Sequence, residues 1–336
     1  MNVREPSRNV GNLEPCALVH QVMPEVRFSI VITCHNQRQF ITDAIESVLS
    51  QGHPSKEVIV VDDGSQDGSL EVIKRYGASV ELISLPTSCG AIEARNRGAA
   101  AARGEYLIFL DGDDLFAPWA LDVHEQAIAE WHPATIVSRA RWFNGPVPAL
   151  QPTDAPTKLE FVEYESLMAR DRSSGWYTGG FVMLRRAFQG VGGWSPGIFH
   201  LDLMDLAAKL RSSGNSVLVC SPYTMLYRIH DANSVHDVAQ FLLAAHRLME
   251  KERTGQYPGG RGRLERSAWY AGMVVCWSRR GMRAGLYRDA LQLVASGWPK
   301  ILAALIRGSI CRLRGRRPVQ IRALEVKESI LCADAS

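Results

Sequence analysis

Acidic residues that directly follow short apolar runs carry the most specific chemistry in this sequence. Asp111 and Asp113, separated by one residue, come after the run 106–110, and Asp63 comes shortly after the run 57–61. Two carboxylates on a tight turn supply the oxygen ligands that a hard divalent cation prefers. A cation held there can neutralise the charge that develops on a diphosphate leaving group. Acidic turns without a ligand are common, so the surrounding elements decide how strongly this pair indicates a metal site.

Short apolar runs typical of strands alternate with segments of helical spacing between residues 28 and 131. The strands are expected at 28–32, 57–61, 80–84 and 106–110, and the helices at 40–49, 70–76, 92–102 and 118–131. The longer strand runs are continuously apolar and often β-branched, as in strands that are buried on both faces. The alternation predicts an α/β fold, a mostly parallel sheet flanked by helices.

Polar clusters follow three of these strands. They occupy residues 33–36, 62–65 and 111–114. Because ligands of parallel α/β sheets bind at the carboxyl ends of the strands, we expect the three clusters to meet along one rim. This convergence is the main functional signal of the sequence.

Four motifs resemble, in family order, those of the family 2 glycosyltransferases with the GT-A (Rossmann-like) fold. They are SIVITCHN at 29–36, VVDDGSQD at 60–67, GAIEARNRG at 90–98 and FLDGDD at 109–114, and the resemblance extends over about 27–235. It implies an inverting transfer from a nucleotide-diphospho-sugar, a UDP-sugar, to a hydroxyl of a glycan or lipid-linked acceptor. It also implies Mg²⁺ or Mn²⁺ as the cofactor.

The resemblance implies roles for individual residues. Asp63 is expected to bind the donor base, and Arg95 with Asn96 to reach the base or the sugar. The implied donor-binding residues are Thr33, Asn36, Asp63, Ser65, Arg95, Asp111, Asp113 and Arg228. The implied metal ligands are Asp111, Asp113 and His230. The segment GGW at 192–194 is similar to the family's GGF turn on the acceptor side, and YRIH at 227–230 to its YRxH segment.

The expected general base is where this sequence departs from the family. Alignment on Asp205 places Asp202 one residue before the usual base position, which Leu203 occupies. An inverting transfer needs a carboxylate that takes the proton of the acceptor hydroxyl, and leucine cannot do so. Three alternatives remain. Asp202 serves as the base after a small backbone shift, His200 or Asp205 replaces it, or the domain is an inactive nucleotide-sugar-binding or scaffold protein at a membrane surface.

The carboxyl-terminal region is strongly basic. Residues 251–322 contain 16 Lys and Arg but 3 Asp and Glu, although the whole chain carries a net charge of +3. Trp298, nearby leucines and arginines at 307, 312, 314, 316 and 317 suit a helix that lies in an anionic membrane interface. The alternative is a helical cap with a solvated basic face. Nucleic-acid binding is not expected, because no aromatic-basic module is present.

These features divide the chain into three parts. We expect a flexible arm at 1–26, a GT-A domain at 27–235 with a donor half (27–140) and an acceptor-side half (160–235), and a helical basic extension at 236–336. Neither a signal peptide nor an apolar run of spanning length is visible, and the cysteines form no CxxC pair. We therefore expect a cytoplasmic protein that can lie peripherally on the inner face of the cell membrane.

Other enzyme classes lack their motifs here. The sequence has no GxSxG elbow, no GxGxxG after its first strand and no P-loop lysine. These absences argue against a serine hydrolase, a dinucleotide dehydrogenase and a nucleoside triphosphatase.

Overall fold

The structure, a computed structural model, describes residues 26–151, 154, 158–165, 180–231, 237–259, 264–314 and 322–325. Nearly all of the expected amino-terminal arm lies outside the described residues, as do Arg316 and Arg317.

Strands and helices alternate in the first half as the sequence predicts. The elements are β1 (Phe28–Cys34), α1 (Ile41–Leu49), β2 (Lys56–Asp62), α2 (Ser69–Lys74), β3 (Glu81–Ser84), α3 (Ala91–Ala101), β4 (Tyr106–Asp111), β5 (Leu115–Phe116) and α4 (Ala120–Trp131). The acidic and polar clusters follow β1, β2 and β4 directly.

The second half adds strands first and then long helices. These elements are β6 (Thr135–Ser138), β7 (Ala140–Asn144), β8 (Lys158–Tyr164), β9 (Phe181–Leu184), α5 (Arg185–Gly190), α6 (Asp202–Lys209), β10 (Ser216–Ser221), β11 (Met225–Ile229), α7 (Val238–Thr254), α8 (Leu264–Arg283), α9 (Tyr287–Arg314) and β12 (Arg322–Glu325).

The central sheet has nine strands within the described residues, in the order β12-β8-β10-β6-β9-β4-β1-β2-β3. Strands β3, β2, β1 and β4 pair in parallel, and β6 pairs in parallel with β10. Because β8 and β9 pair antiparallel with their neighbours, they run against the other seven strands. The expectation of a mostly parallel sheet flanked by helices is confirmed. A smaller sheet, β5-β11-β7, lies beside the acidic turn.

Apolar residues of β1 alternate between two cores, one on each face of the sheet. Ile30 and Ile32 pack with α1, α2 and α4, whereas Val31 packs with α3, α5 and α6. Burial on both faces explains why these strands read as unbroken apolar runs. Gly98 of α3 allows the closest helix-to-sheet approach, since a Cβ there would lie 2.3 Å from a methyl group of Val31.

The basic helices are part of the same core. Phe241 and Leu248 of α7, and Tyr270 and Val274 of α8, pack into the cluster that covers the Val31 face of the sheet. The last described strand, β12, pairs with β8 at the edge of the sheet. The expected division after residue 235 therefore follows motif content, whereas the hydrophobic core continues across it.

A buried ionic cluster joins the three long helices. Glu252 of α7 accepts a hydrogen bond from Arg266 of α8 at 2.7 Å and also pairs with Lys300 of α9. Removing Glu252 would take from Arg266 and Lys300 the carboxylate that they share, so this cluster fixes how the helices pack. Among the described residues, no helix combines the length and the apolar composition that crossing a bilayer requires.

His124 makes the stability of the fold sensitive to acid. Its ring is fully buried on α4, neither ring nitrogen has a partner among the described residues, and burial lowers its pKa to about 3. The unfolded chain takes up a proton near pH 6.5, but the folded chain does not. The protein should therefore lose about 1.4 kcal/mol of unfolding free energy per pH unit below that value.

We predict that His124→Leu removes this contribution and leaves the stability at neutral pH unchanged or higher, because two unsatisfied polar atoms are lost. Urea unfolding of both proteins from about pH 7 down to about pH 5 measures the difference in slope. Parallel pH profiles for the two proteins would contradict the assignment.

Candidate active site

The three polar clusters meet at one rim because β1 lies between β2 and β4. Thr33 is in register with Asp111, and Cys34 with Asp62. Backbone hydrogen bonds to β1 continue past the ends of the neighbouring strands, since Asp63 donates its backbone N–H to the Cys34 carbonyl at 2.8 Å. Gly112 does the same to the Thr33 carbonyl at 2.9 Å.

The loops after β1 and β2 hold each other. Asn36 donates its backbone N–H to the Ser65 hydroxyl at 3.0 Å, and its side-chain oxygen accepts the backbone N–H of Gln66 at 2.8 Å. Asn36 adopts a left-handed conformation (φ 55°), which asparagine tolerates better than most residues. Thr33 donates more weakly to Asp111, at 3.4 Å. Asn36 and Ser65 thus join the loops after β1 and β2 at the rim.

Asp63 organises the segment that precedes α3. Its carboxylate accepts hydrogen bonds from the Ser88 hydroxyl (2.7 Å) and from the backbone N–H groups of Cys89 (2.7 Å) and Gly90 (2.9 Å). Burial alone would raise the pKa of Asp63, but these donors outweigh it and lower the pKa. Gly64 (φ 66°) is required beside it, since a Cβ would lie 2.6 Å from the Ser88 nitrogen. The carboxylate is ionised and held at the β2 side of the rim.

The acidic turn after β4 brings three carboxylates together. Ligand atoms of Asp111, Asp113 and Asp114 all lie within 4.8 Å of one another. Burial, and then repulsion by the neighbouring aspartates, raises the pKa of Asp113 and of Asp114. The folded chain therefore holds negative charge here at a cost, which a cation would offset.

Arg228 of β11, and His230 just after this strand, support the turn from the side of the smaller sheet. Arg228 donates its backbone N–H to the Asp114 carboxylate at 3.0 Å and its Nε to the Asp113 carbonyl at 3.0 Å. Its guanidinium also pairs with Asp43 of α1 at 2.7 Å, and the residue is 6% exposed. His230 Nε2 lies 2.9 Å from Asp113 Oδ2, and its ring stacks on Phe40.

These side chains are suitable ligands for a divalent cation. The carboxylates are the oxygen ligands that Mg²⁺ accepts, and Mn²⁺ tolerates both them and an added imidazole. Asp111, Asp113 and Asp114 are the candidate group for one ion. His230 lies within hydrogen-bond distance of Asp113 and is a further candidate ligand.

Arg95 connects the acidic turn to the start of α6. Its guanidinium donates to Asp111 Oδ1 at 2.7 Å and to Asp202 Oδ2 at 2.5 Å, and these carboxylates hold its pKa above the ordinary value despite burial. One guanidinium therefore separates Asp202 from the candidate metal site. Its own position is fixed by packing against Trp194.

Asp202 is the candidate base that lies at the rim. Burial raises its pKa, and the ion pair with Arg95 and a hydrogen bond from the Leu203 N–H oppose that shift. Its side chain is 13% exposed, so an acceptor group can still reach it. The side chain of Leu203 is packed against the core instead.

Asp205 is not available as the alternative base. It is fully buried and accepts hydrogen bonds from the Ser195 hydroxyl at 2.5 Å and the Tyr257 hydroxyl at 2.6 Å, and it pairs with Lys251 of α7. These partners use the carboxylate to join α6 to α7. This part of the sequence-based hypothesis is corrected, because the tertiary partners of Asp205 could not be inferred from its spacing.

His200 sits in an aromatic stack that reaches the basic helices. Its ring stacks on Phe241 of α7 (4.3 Å between centroids), which stacks on Trp277 of α8 (3.7 Å). His200 has a left-handed backbone (φ 68°), which is unusual for a residue other than glycine. The stack thus holds the segment immediately before Asp202 in an uncommon conformation. Burial lowers the pKa of His200, so its ring is neutral at pH 7.

Asn96 has a different place from the one the resemblance implies. Its side chain donates to the Trp194 carbonyl at 3.0 Å and accepts the Trp194 N–H at 2.9 Å. This pair of bonds anchors the GGW turn to α3, next to Arg95.

Two groups at the rim were missed by the sequence reasoning. Asp114 was left out of the ligand set although it adjoins Asp113. Trp142 of β7 is 62% exposed and packs against Tyr227, whose pKa is raised by burial and by the three aspartates of the turn. The adjacency of Asp114 was visible in the sequence, but the pairing of β7 with β11 was not.

Comparisons with known proteins agree with this geometry. The family model described as "Glycosyl transferase family 2" matches residues 29–191. The putative teichuronic acid biosynthesis glycosyltransferase TuaG of Bacillus subtilis is 36% identical over 103 residues, which is 30% of this chain and 40% of that protein. The cholesterol galactosyltransferase of Borreliella burgdorferi is 31% identical over 107 residues, 31% of this chain and 30% of that protein. The matches thus span less than half the length of these relatives.

The fold has a solved counterpart. The structure of S. aureus TarS 1–349 in complex with UDP superposes with a TM-score of 0.53 at 14% identity, covering 90% of this chain and 98% of that one. The mixed sheet, its rim of acidic turns and the family match define a GT-A domain. The match to glycosyl transferase family 2 covers residues 29–191, just under half of the chain.

The aromatic stack predicts that α7 controls the order of the segment before Asp202. We expect Phe241→Leu to increase amide hydrogen exchange at residues 199–203, because leucine keeps apolar volume but cannot stack on His200 or Trp277. Hydrogen-exchange mass spectrometry measures this effect.

The matched control is Leu243→Ala on the same helix, whose side chain is 44% exposed. It should leave residues 199–203 unchanged. If Phe241→Leu raised exchange in β1 as much as at 199–203, the effect would be global destabilisation and not loss of local positioning.

Proposed function

We propose that this protein transfers a sugar from a UDP-sugar to a hydroxyl group of a glycan or lipid-linked acceptor, with inversion at the anomeric carbon. The observation that carries the proposal is the Arg95 bridge, which places a candidate base, Asp202, beside a cluster of three carboxylates. A base and a site for a diphosphate are the two things that such a displacement requires.

The donor end of the rim supports a nucleotide. Asp63 and the backbone of residues 88–90 form an ordered, ionised edge beside β1. A uracil ring would offer its N3–H to a carboxylate at this edge. The structurally similar TarS has been solved with UDP and with UDP-GlcNAc, which favours a uridine donor.

Asp111, Asp113, Asp114 and His230 would hold Mg²⁺ or Mn²⁺. When bound, the ion supplies positive charge against the diphosphate oxygens of the donor. Arg228 fixes the acidic turn by its hydrogen bonds to the Asp114 carboxylate and the Asp113 carbonyl. Its guanidinium is already engaged with Asp43, so this positioning is its main contribution in the structure described.

The reaction is a single displacement. Asp202 takes the proton of the acceptor hydroxyl while the hydroxyl oxygen bonds to the anomeric carbon. The bond between that carbon and the diphosphate oxygen breaks on the opposite face, and the nucleoside diphosphate leaves with the electron pair. Arg95 holds Asp202 ionised and aligned, and burial keeps it basic enough to accept the proton.

A non-catalytic nucleotide-sugar-binding protein is the second candidate. The observation in its favour is that Leu203 occupies the usual base position and that Asp202 is tied to Arg95. This candidate keeps the donor site and the metal site but lacks turnover.

We predict that Asp113→Asn separates metal binding from stability. The variant should unfold at a higher temperature than the wild type without metal, because one mutually repelling carboxylate is neutralised. It should lose the further stabilisation that Mn²⁺ gives to the wild type. Even supporting groups around metals alter affinity by about 10–100-fold, so loss of a direct ligand should exceed that.

Thermal unfolding with and without Mn²⁺ provides the measurement. Asp122→Asn is the matched control, since burial raises the pKa of this carboxylate on α4 away from the rim. It should retain the full response to Mn²⁺. An equal response of the wild type and Asp113→Asn would remove the metal from the proposal.

We predict that Asp202→Asn lowers kcat by about a hundredfold to ten-thousandfold while the Kd for UDP stays within about twofold. Asparagine keeps the size of the side chain but cannot accept the proton. Release of UDP from a panel of UDP-sugars, with and without acceptors, measures turnover, and calorimetry measures UDP binding. Turnover by Asp202→Asn at the wild-type rate would exclude Asp202 as the base, and UDP binding with no turnover by the wild type on any acceptor would favour the second candidate.

A further inference from the structure

An exposed apolar stripe runs along α9. It consists of Tyr287, Leu291, Val294, Trp298, Leu302 and Leu305, whose exposures range from 36% to 61%. The members are spaced three or four residues apart, so they lie on one side of the helix. The core-facing residues Ala290 and Leu293 lie on a different side and are fully buried. The stripe is therefore additional to the face that packs α9 onto the protein.

Arginines of α8 border the same surface. A groove of about 610 Å³ lies between α8 and α9 and is lined by Arg279, Arg280 and Arg283 on one side and by Ile301 and Leu305 on the other. Leu305 belongs to the stripe, so the groove that the arginines line adjoins one end of the stripe. Arg280 is held over the ring of Trp277 at 4.7 Å.

Negative charge is scarce along this surface. Between residues 266 and 305 the sequence contains a single acidic residue, Asp289. It lies two residues before Leu291 and therefore points away from the stripe. The surface combines exposed apolar side chains, an exposed tryptophan and arginines that form no ion pair within the part of the chain that the structure describes, which together suit the boundary between headgroups and acyl chains.

We propose that the α8–α9 surface docks onto an anionic lipid bilayer. The arginines of α8 contact the headgroups, and the stripe of α9 enters the interface to the depth of its side chains. A second copy of the chain fits less well, because a two-fold contact over this groove would bring two arginine rows together. The proposal does not depend on sugar transfer, since no residue of the rim takes part.

The test is co-sedimentation of the full chain with vesicles of phosphatidylcholine, with or without phosphatidylglycerol, in the absence of donor and acceptor. We expect binding to the anionic vesicles that weakens as salt is added. The triple variant Arg279→Gln/Arg280→Gln/Arg283→Gln should bind on the order of a hundredfold more weakly, because each basic residue near an anionic surface contributes about fivefold.

Two further variants separate charge from apolar contact. Trp298→Ser/Leu302→Ser should also lose binding while keeping the arginines, and its exposed positions should leave thermal stability unchanged. Lys74→Gln/Arg75→Gln/Arg186→Gln removes the same charge from exposed positions elsewhere and should bind as the wild type does.

Three outcomes would overturn the proposal. The first is that the wild type does not bind anionic vesicles, and the second is that it binds neutral vesicles equally well. The third is that the control variant Lys74→Gln/Arg75→Gln/Arg186→Gln loses as much binding as the variant of the α8 arginines. Sedimentation velocity without lipid checks the alternative occupant. A dimer that Trp298→Ser/Leu302→Ser dissociates, in a protein that ignores vesicles, would assign the surface to a second copy.

Discussion

Repulsion among carboxylates gathered at the ends of parallel strands is the constraint on which the rest of the site depends. Asp111, Asp113 and Asp114 cannot share so small a space unless positive groups surround them. Arg95 approaches from α3 and Arg228 from β11, and His230, just after β11, lies within hydrogen-bond distance of Asp113. Each arginine also binds a second element, so neutralising the turn at the same time fixes α1, α6 and the smaller sheet around it.

The position of Asp202 follows from the same constraint. Asp111 accepts a hydrogen bond from one terminal nitrogen of the buried Arg95 guanidinium, and the other terminal nitrogen needs an acceptor of its own. Asp202 is that acceptor and is thereby brought to the rim. The shift of the acidic residue by one position relative to the family thus has a structural counterpart, in which the side chain of Leu203 packs inward and Asp202 points to the turn.

Much of the donor half could be predicted from the sequence because its information is local. Apolar runs, helical spacing and strand-end motifs placed β1, β2, β4 and the acidic rim. The neighbours of Asp205 and Asn96 could not be predicted, because Tyr257, Lys251 and Trp194 are brought to them only by tertiary packing. The sequence left two alternatives for the basic region, an interfacial helix and a helical cap, for the same reason: its charge dominated the composition, and the partners of its apolar residues were not visible until α7 and α8 packed on the sheet.

The two sides of the rim are consequently held in different ways. The side at Asp63 is held by strand register and by backbone hydrogen bonds, which depend little on side-chain identity elsewhere. The side at Asp202 depends on side-chain contacts with the long helices, through the His200–Phe241–Trp277 stack and the pairing of Asp205 with Lys251. Substitutions in α7 and α8 should therefore act on the segment before Asp202 and leave the Asp63 side unchanged. In this protein the basic helices are structural components of the Asp202 side of the rim and also carry an exposed surface.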